Sequence, residues 1–174
     1  MDKKSYDKLS RWGHWFTALV FISMFAIGWY FHEMPRGDVK NYWRHLHISI
    51  GTLAWLLVMF RVVWRLRQGF LPAVEQQKYL QTISKISHWL LLLGVVIMFI
   101  SGPLTIWSAG RAISVFDWFS IPSPMERMHE FHEFLENVHG KVARATMVLI
   151  VIHAGAAIWH HIKHKGLLKG RMWG

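Results

Sequence analysis

Four apolar runs, at 12–31, 46–66, 87–107 and 142–162, constrain this chain more than any other feature. Each is close to the ~20 residues that a helix rising about 1.5 Å per residue needs to cross a bilayer core. Charges inside them sit near the ends: Arg61 and Arg65 late in the second, Arg144 early in the fourth. No period-two alternation runs through these segments, and four are too few to close a barrel. The expected fold is an all-α integral membrane protein, a four-transmembrane-helix bundle forming a single domain over 1–174. The first run is longer than a signal-peptide core and lacks a small-residue cleavage pattern, so it is read as a retained helix.

The flanks agree with this reading. Trp12, Trp15, Trp29, Trp43, Trp64, Trp89, Trp107 and Trp159 lie near the expected helix ends, where an amphipathic ring prefers the headgroup level. Only 17% of the residues are charged, against about a quarter in an ordinary soluble domain. The net charge of +10 therefore points to cationic loops at an anionic lipid surface, not to nucleic acid. Lys3, Lys4, Lys8 and Arg11 lie on the same side as Arg61, Arg65, Arg67, Lys78 and Lys85, and as Lys163, Lys165, Lys169 and Arg171. That bias places both termini in the cytoplasm, in an inner membrane crossed four times. The outer side holds Arg36, Lys40, Arg44, Arg111 and Arg127, together with Asp117, Glu126, Glu130, Glu133 and Glu136.

The chain has no cysteine and 12 histidines. Disulfides, thiolate-bound zinc, iron–sulfur clusters and covalently attached haem are thereby removed. Ionisable residues inside membrane helices are costly and mark function by default. His14, His47, His88, His139 and His153 sit in or at the helices. His139 and His153 are 14 positions apart, about four turns of helix, so they share one face at ~21 Å separation. Helix direction sets His14 level with His153 at the inner end, and His47 level with His139 at the outer end. Two bis-histidine pairs follow, each able to hold a non-covalent haem b. Gly51, Ala143, Ala18 and Ala157, each one turn from one of these histidines, leave room for a porphyrin.

Iron held by two imidazoles is coordinatively saturated and suits one-electron transfer. His88 also begins a helix at the inner side and rivals His14 as ligand, or contacts a propionate or quinone. His45 and His47 differ by ~200° around the helix, so only one can face the bundle; Gly51 favours His47. Arg61 follows His47 by 14 residues and is a candidate propionate partner near the inner haem. Among lesser signals, His129, Glu130, His132 and Glu133 read as a solvated face of a loop helix before they read as a metal site. His160, His161 and His164 read as interfacial, and Gly102-Pro103 as the kink or end of the third helix.

These residues resemble the bacterial cytochrome b561 family, which is related to the dihaem cytochrome b subunits of hydrogenases and formate dehydrogenases. The resemblance is carried by Tyr6-Asp7-Lys8-Leu9-Ser10 before His14-Trp15, by His47 with Gly51, and by Arg61 with Trp64-Arg65. It continues through His88, Ser101-Gly102-Pro103, Ala109-Gly110-Arg111, Phe119 and Ile121-Pro122. It ends with His139, His153 with Ala156-Ala157, His160-His161, Leu168 and Arg171-Met172. The resemblance implies two b haems with ligands from helices one, two and four, matching His14, His47, His139 and His153. It also implies exchange of electrons with ubiquinone in the membrane and with an outer-side donor or acceptor, superoxide among them. Two other functions compete: a cytochrome b subunit anchoring a periplasmic dehydrogenase or hydrogenase, and a His-rich metal transporter or assembly factor without haem. A partner that co-purifies would mark the first, and a colourless protein the second.

Overall fold

The computed structural model describes residues 5–71 and 78–163. Lys3, Lys4, His164, Lys165, Leu168, Lys169, Arg171 and Met172, used above, lie outside the described residues. The elements run α1 (Lys8–His32), α2 (Asp38–Gln68), α3 (Lys78–Ser108), β1 (Ile113–Val115), β2 (Phe119–Ile121) and α4 (His129–Lys163). All four helices are long and apolar enough to cross a membrane. Each outruns its apolar run, because polar residues can continue the backbone ladder into the headgroup layer. α1 starts where the Asp7 carboxylate accepts the Ser10 amide at 2.6 Å, a side-chain cap on an otherwise unpaired N–H. The largest difference is at α4, which begins at His129 rather than near 142.

The third helix reaches its expected far end, one residue past 107. Gly102-Pro103 does not end it; α3 runs through Pro103 to Ser108. Proline has no N–H to give the carbonyl four residues back. Trp55 of α2 fills the gap, its indole Nε1–H donating to the Phe99 carbonyl at 3.0 Å.

Between α3 and α4 lies an antiparallel hairpin pairing Ile113 with Ile121 and Val115 with Phe119. Phe116 and Asp117 turn it with φ of 45° and 49°, a region in which Gly, Asn and Asp are the usual occupants. The hairpin is fastened to α2, where the Phe116 amide donates to Ser49 Oγ at 3.0 Å. Ile113 and Val115 are buried beneath it.

Packing divides the bundle into two hairpins of helices, α1 on α2 and α3 on α4. α3 and α4 come so close at Gly94 that a Cβ there would fall on the Thr146 hydroxyl, the close approach that small residues allow between membrane helices. α1 and α4 barely touch. The buried apolar centre is small, Phe21, Val58, Val62, Leu92 and Val95. Outward, Leu56, Leu57, Phe60, Leu93, Ile100, Val148, Val151 and Ile152 are all exposed. An apolar face this extensive matches hydrocarbon rather than water.

Candidate functional site

The loose seam between α1–α2 and α4 is bridged by histidine rings. At one end His47 of α2 faces His139 of α4 with ring centres 6.4 Å apart. At the other His14 of α1 faces His153 of α4 at 6.3 Å. The register of a single helix sets the distance between these pairs, because His139 and His153 are separated by four turns of α4, ~21 Å. His47, not His45, is the α2 histidine that meets α4.

These spacings test whether the rings fit a metal between them. A metal–imidazole bond of ~2 Å, with ~1 Å more from ring nitrogen to ring centre, sets two opposed imidazoles ~6 Å apart. Both pairs match. The imidazoles of the His47–His139 pair lie against glycines of the neighbouring helices. A Cβ at Gly28 would lie 3.3 Å from His47 Cε1, and one at Gly102 would lie 3.5 Å from His139 Cε1. Gly51 faces Met24 instead, whose Cε would be 3.1 Å from its Cβ. The outer ring also carries an unsettled polar atom. His47 Nδ1 is buried without a hydrogen bond of good geometry, the nearby backbone group being Met24. The residues fit a bis-imidazole iron porphyrin at each end.

The His14–His153 end has more polar company. Arg61 Nη2 stands 3.4 Å from His14 Nδ1, with its aliphatic stem against Gly13. Its Nε is buried with no partner. A buried guanidinium with an unused N–H suits a carboxylate, so Arg61 fits a haem propionate. His88 lies beside the same pair, its ring centre 5.4 Å from His153 and 5.3 Å from Phe70. Its Nδ1 donates to the Ser84 carbonyl at 2.7 Å, a bond to its own helix that leaves Nε2 turned elsewhere. Next to it Arg65 is buried between the rings of Tyr6 at 4.3 Å and Phe70 at 5.6 Å.

Beyond the His47–His139 pair an open hollow of about 580 Å³ is lined by Arg36, Lys40, Arg44 and Arg111, with Glu136 opposing them. Lys40 is tied by its Nζ to the Met34 carbonyl at 2.9 Å, bracing the turn between α1 and α2. The four cations come from the α1–α2 link, the start of α2 and the loop after α3, and Glu136 from one turn before His139.

The outer extension of α4 sorts its own histidines. His129 pairs with Glu133 at 3.3 Å on an exposed face. His132 instead turns inward, its Nδ1 donating to the Thr105 carbonyl at 2.8 Å. The set His129, Glu130, His132 and Glu133 is thus divided between two faces. His160 stacks edge-on against Trp159 at 4.8 Å near the end of α4.

The polar partner of His139 was not singled out from sequence. Ser101 of α3, buried, has its Oγ 2.8 Å from His139 Nδ1. Ser101, Thr105 and Ser108 stand at i, i+4 and i+7 of a strongly apolar helix. That polar row is the signal that would have found them.

Comparison with known proteins agrees with this architecture. The family model described as prokaryotic cytochrome b561 matches residues 5–174. The chain is similar to cytochrome b561 homolog 2 of Escherichia coli (strain K12), 31% identical over 176 residues, covering 97% of this chain and 91% of the relative. It is also similar to cytochrome b561 homolog 1 of the same organism, 26% identical over 174 residues and 92% of each chain.

Proposed function

The chain belongs to the prokaryotic cytochrome b561 family of membrane b-type cytochromes, and we propose that it carries two b haems and moves electrons between its two ends. In this reading residues 1–174 act as one domain, with His47 and His139 binding the outer haem and His14 and His153 the inner one. The observation that carries it is the pair of ring spacings, 6.4 Å and 6.3 Å, four turns apart on one helix. Bound haem supplies a reversible one-electron couple at each end. Everything else is the work of the chain. Apolar helices keep water away from both pairs, so little solvent must reorganise when charge changes. Held by both imidazoles of a pair, iron would keep no open coordination position, which suits one-electron transfer.

Arg61 holds the inner propionate, and His88 lines the adjoining space as a further propionate or quinone contact. Ubiquinone in the membrane is the proposed inner partner, taking two electrons and two protons for each molecule reduced. At the outer side Arg36, Lys40, Arg44 and Arg111 outnumber Glu136 around the cavity, which favours a small anionic one-electron donor such as superoxide. Two donors, each losing one electron (superoxide leaving as dioxygen), then match one ubiquinone reduced at the inner end, whose two protons come from the inner side. The positive-inside bias supports cytoplasmic termini, which sets this outer side in the periplasm.

The test is optical. Detergent-purified protein, oxidised in air and then reduced with dithionite, should show a b-type spectrum with two haems per chain. His139→Ala and His14→Ala should each remove one haem and leave the other. A protein with one haem, or one that keeps both in these variants, would overturn the assignment.

A further inference from the structure

The two proposed iron sites differ in what stands behind their axial ligands. Behind His14 Nδ1 is a guanidinium, which can only donate. Behind His139 Nδ1 is the Ser101 hydroxyl, at 2.8 Å, which can accept. The serine's own proton has another destination, since Ser101 Oγ donates to the Met98 carbonyl at 3.4 Å. With that proton engaged, and with His139 binding iron through Nε2 as the proposed outer site requires, His139 Nδ1–H is the donor to Ser101 Oγ.

The surroundings hold Ser101 in this role. Thr105 Oγ1 donates to the Ser101 carbonyl at 2.7 Å, and Ser108 Oγ to the Thr105 carbonyl at 3.1 Å. One heptad outward on α4, His132 donates to the same Thr105 carbonyl. α3 thus presents a row of hydroxyls and a carbonyl to two α4 histidines that share one face. Ser101 is 3% exposed. A hydroxyl buried at bilayer depth is costly without a partner, and its shorter bond is to His139, not to its own helix.

We propose that Ser101 is the positioning residue for His139, fixing its tautomer and making it more electron-donating than the same imidazole would be without the hydroxyl. The inference rests on His139 binding the outer haem. A hydrogen bond from the far nitrogen of a ligating imidazole orients the ring and raises its basicity, which favours ferric over ferrous iron. The hydroxyl therefore holds the outer midpoint potential below the value the same pair of imidazoles would give without it.

Redox titration of the haem-loaded protein, followed optically, tests this. The outer midpoint is the one missing from His47→Ala. Ser101→Ala should move that midpoint upward and leave the inner one in place, and should weaken retention of the outer haem about ten- to a hundredfold. Ser101→Thr, which keeps the hydroxyl, should return both properties to those of the parent. An outer midpoint that stays put in Ser101→Ala, or two midpoints that move together, would overturn the role. Should Ser101→Ala not accumulate, Ser101→Cys replaces the hydroxyl by a weak acceptor of similar size, and the same two outcomes decide. If His139→Ala retains both haems, the failure lies in the ligand assignment. Loss of one haem in His139→Ala with unmoved midpoints in Ser101→Ala would condemn the serine alone.

Discussion

Pro103 sits inside a membrane helix because a side chain from another helix repairs what the proline breaks. Its ring leaves the Phe99 carbonyl without the backbone N–H of position 103, and the indole of Trp55 supplies the missing donor at 3.0 Å. Trp55→Phe keeps the aromatic bulk and removes only that donor. An unpaired carbonyl in this setting costs about 1–3 kcal/mol, which should appear as lowered stability in reversible unfolding in detergent. In a Pro103→Ala background the backbone N–H returns, so the same Trp55→Phe change should cost close to nothing beyond packing. A double-mutant cycle with no coupling between the two positions would show that the indole is only a filler. From sequence Trp55 could not be distinguished from its neighbours. It falls inside an apolar run, and its partner is 44 positions away. The pairing of Ser101 was hidden for the same reason, because its partner His139 is 38 positions distant, although the polar row it forms with Thr105 and Ser108 is visible in the sequence. The histidines were legible, since charge-capable groups in apolar runs stand out wherever they fold.

Helices announce themselves by length of apolar run, so the four crossings could be counted and their directions alternated before any coordinates. Their ends could not be fixed that way. The outer part of α4, His129 to Lys141, is polar enough to read as loop, yet His132 and buried Leu135 pack it onto the bundle as continuous helix. The hairpin was equally hidden. Its strands are three residues each, and its turn uses Phe116 and Asp117 in place of the glycine that signals such turns. What joins α3 to α4 is more sharply specified. Gly94 lies so close to Thr146 that Gly94→Ala must push the two helices apart or force Thr146 out of its rotamer. Overpacking of this kind costs about 1–3 kcal/mol. Gly94→Ala should lower the thermal unfolding temperature in detergent, and adding Thr146→Ala, which deletes the obstructing hydroxyl and methyl, should restore most of the loss. If the double variant is as unstable as the single, the contact is not what sets the helix spacing.

At the scale of the whole molecule, charge decides which end is which. The bundle itself is nearly symmetric in depth, with a histidine pair at each end of one long helix. Lysine and arginine break that symmetry, gathering in the N-tail, the α2–α3 link and the C-tail. The opposite end differs in kind: four of its cations, Arg36, Lys40, Arg44 and Arg111, line one cavity with Glu136. Orientation therefore settles whether that cavity meets solutes of the periplasm or of the cytoplasm, and with it which partners are chemically admissible. The absence of cysteine makes the matter directly measurable, because any introduced thiol is the sole reactive one. Ser120, exposed on β2, and Ser5, exposed ahead of α1, lie at opposite ends of the bundle. In intact spheroplasts a membrane-impermeant maleimide should label Ser120→Cys and leave Ser5→Cys untouched until the cells are lysed. The reverse pattern would turn the molecule over, open the cationic cavity to the cytoplasm, and exclude a periplasmic anion as its electron donor.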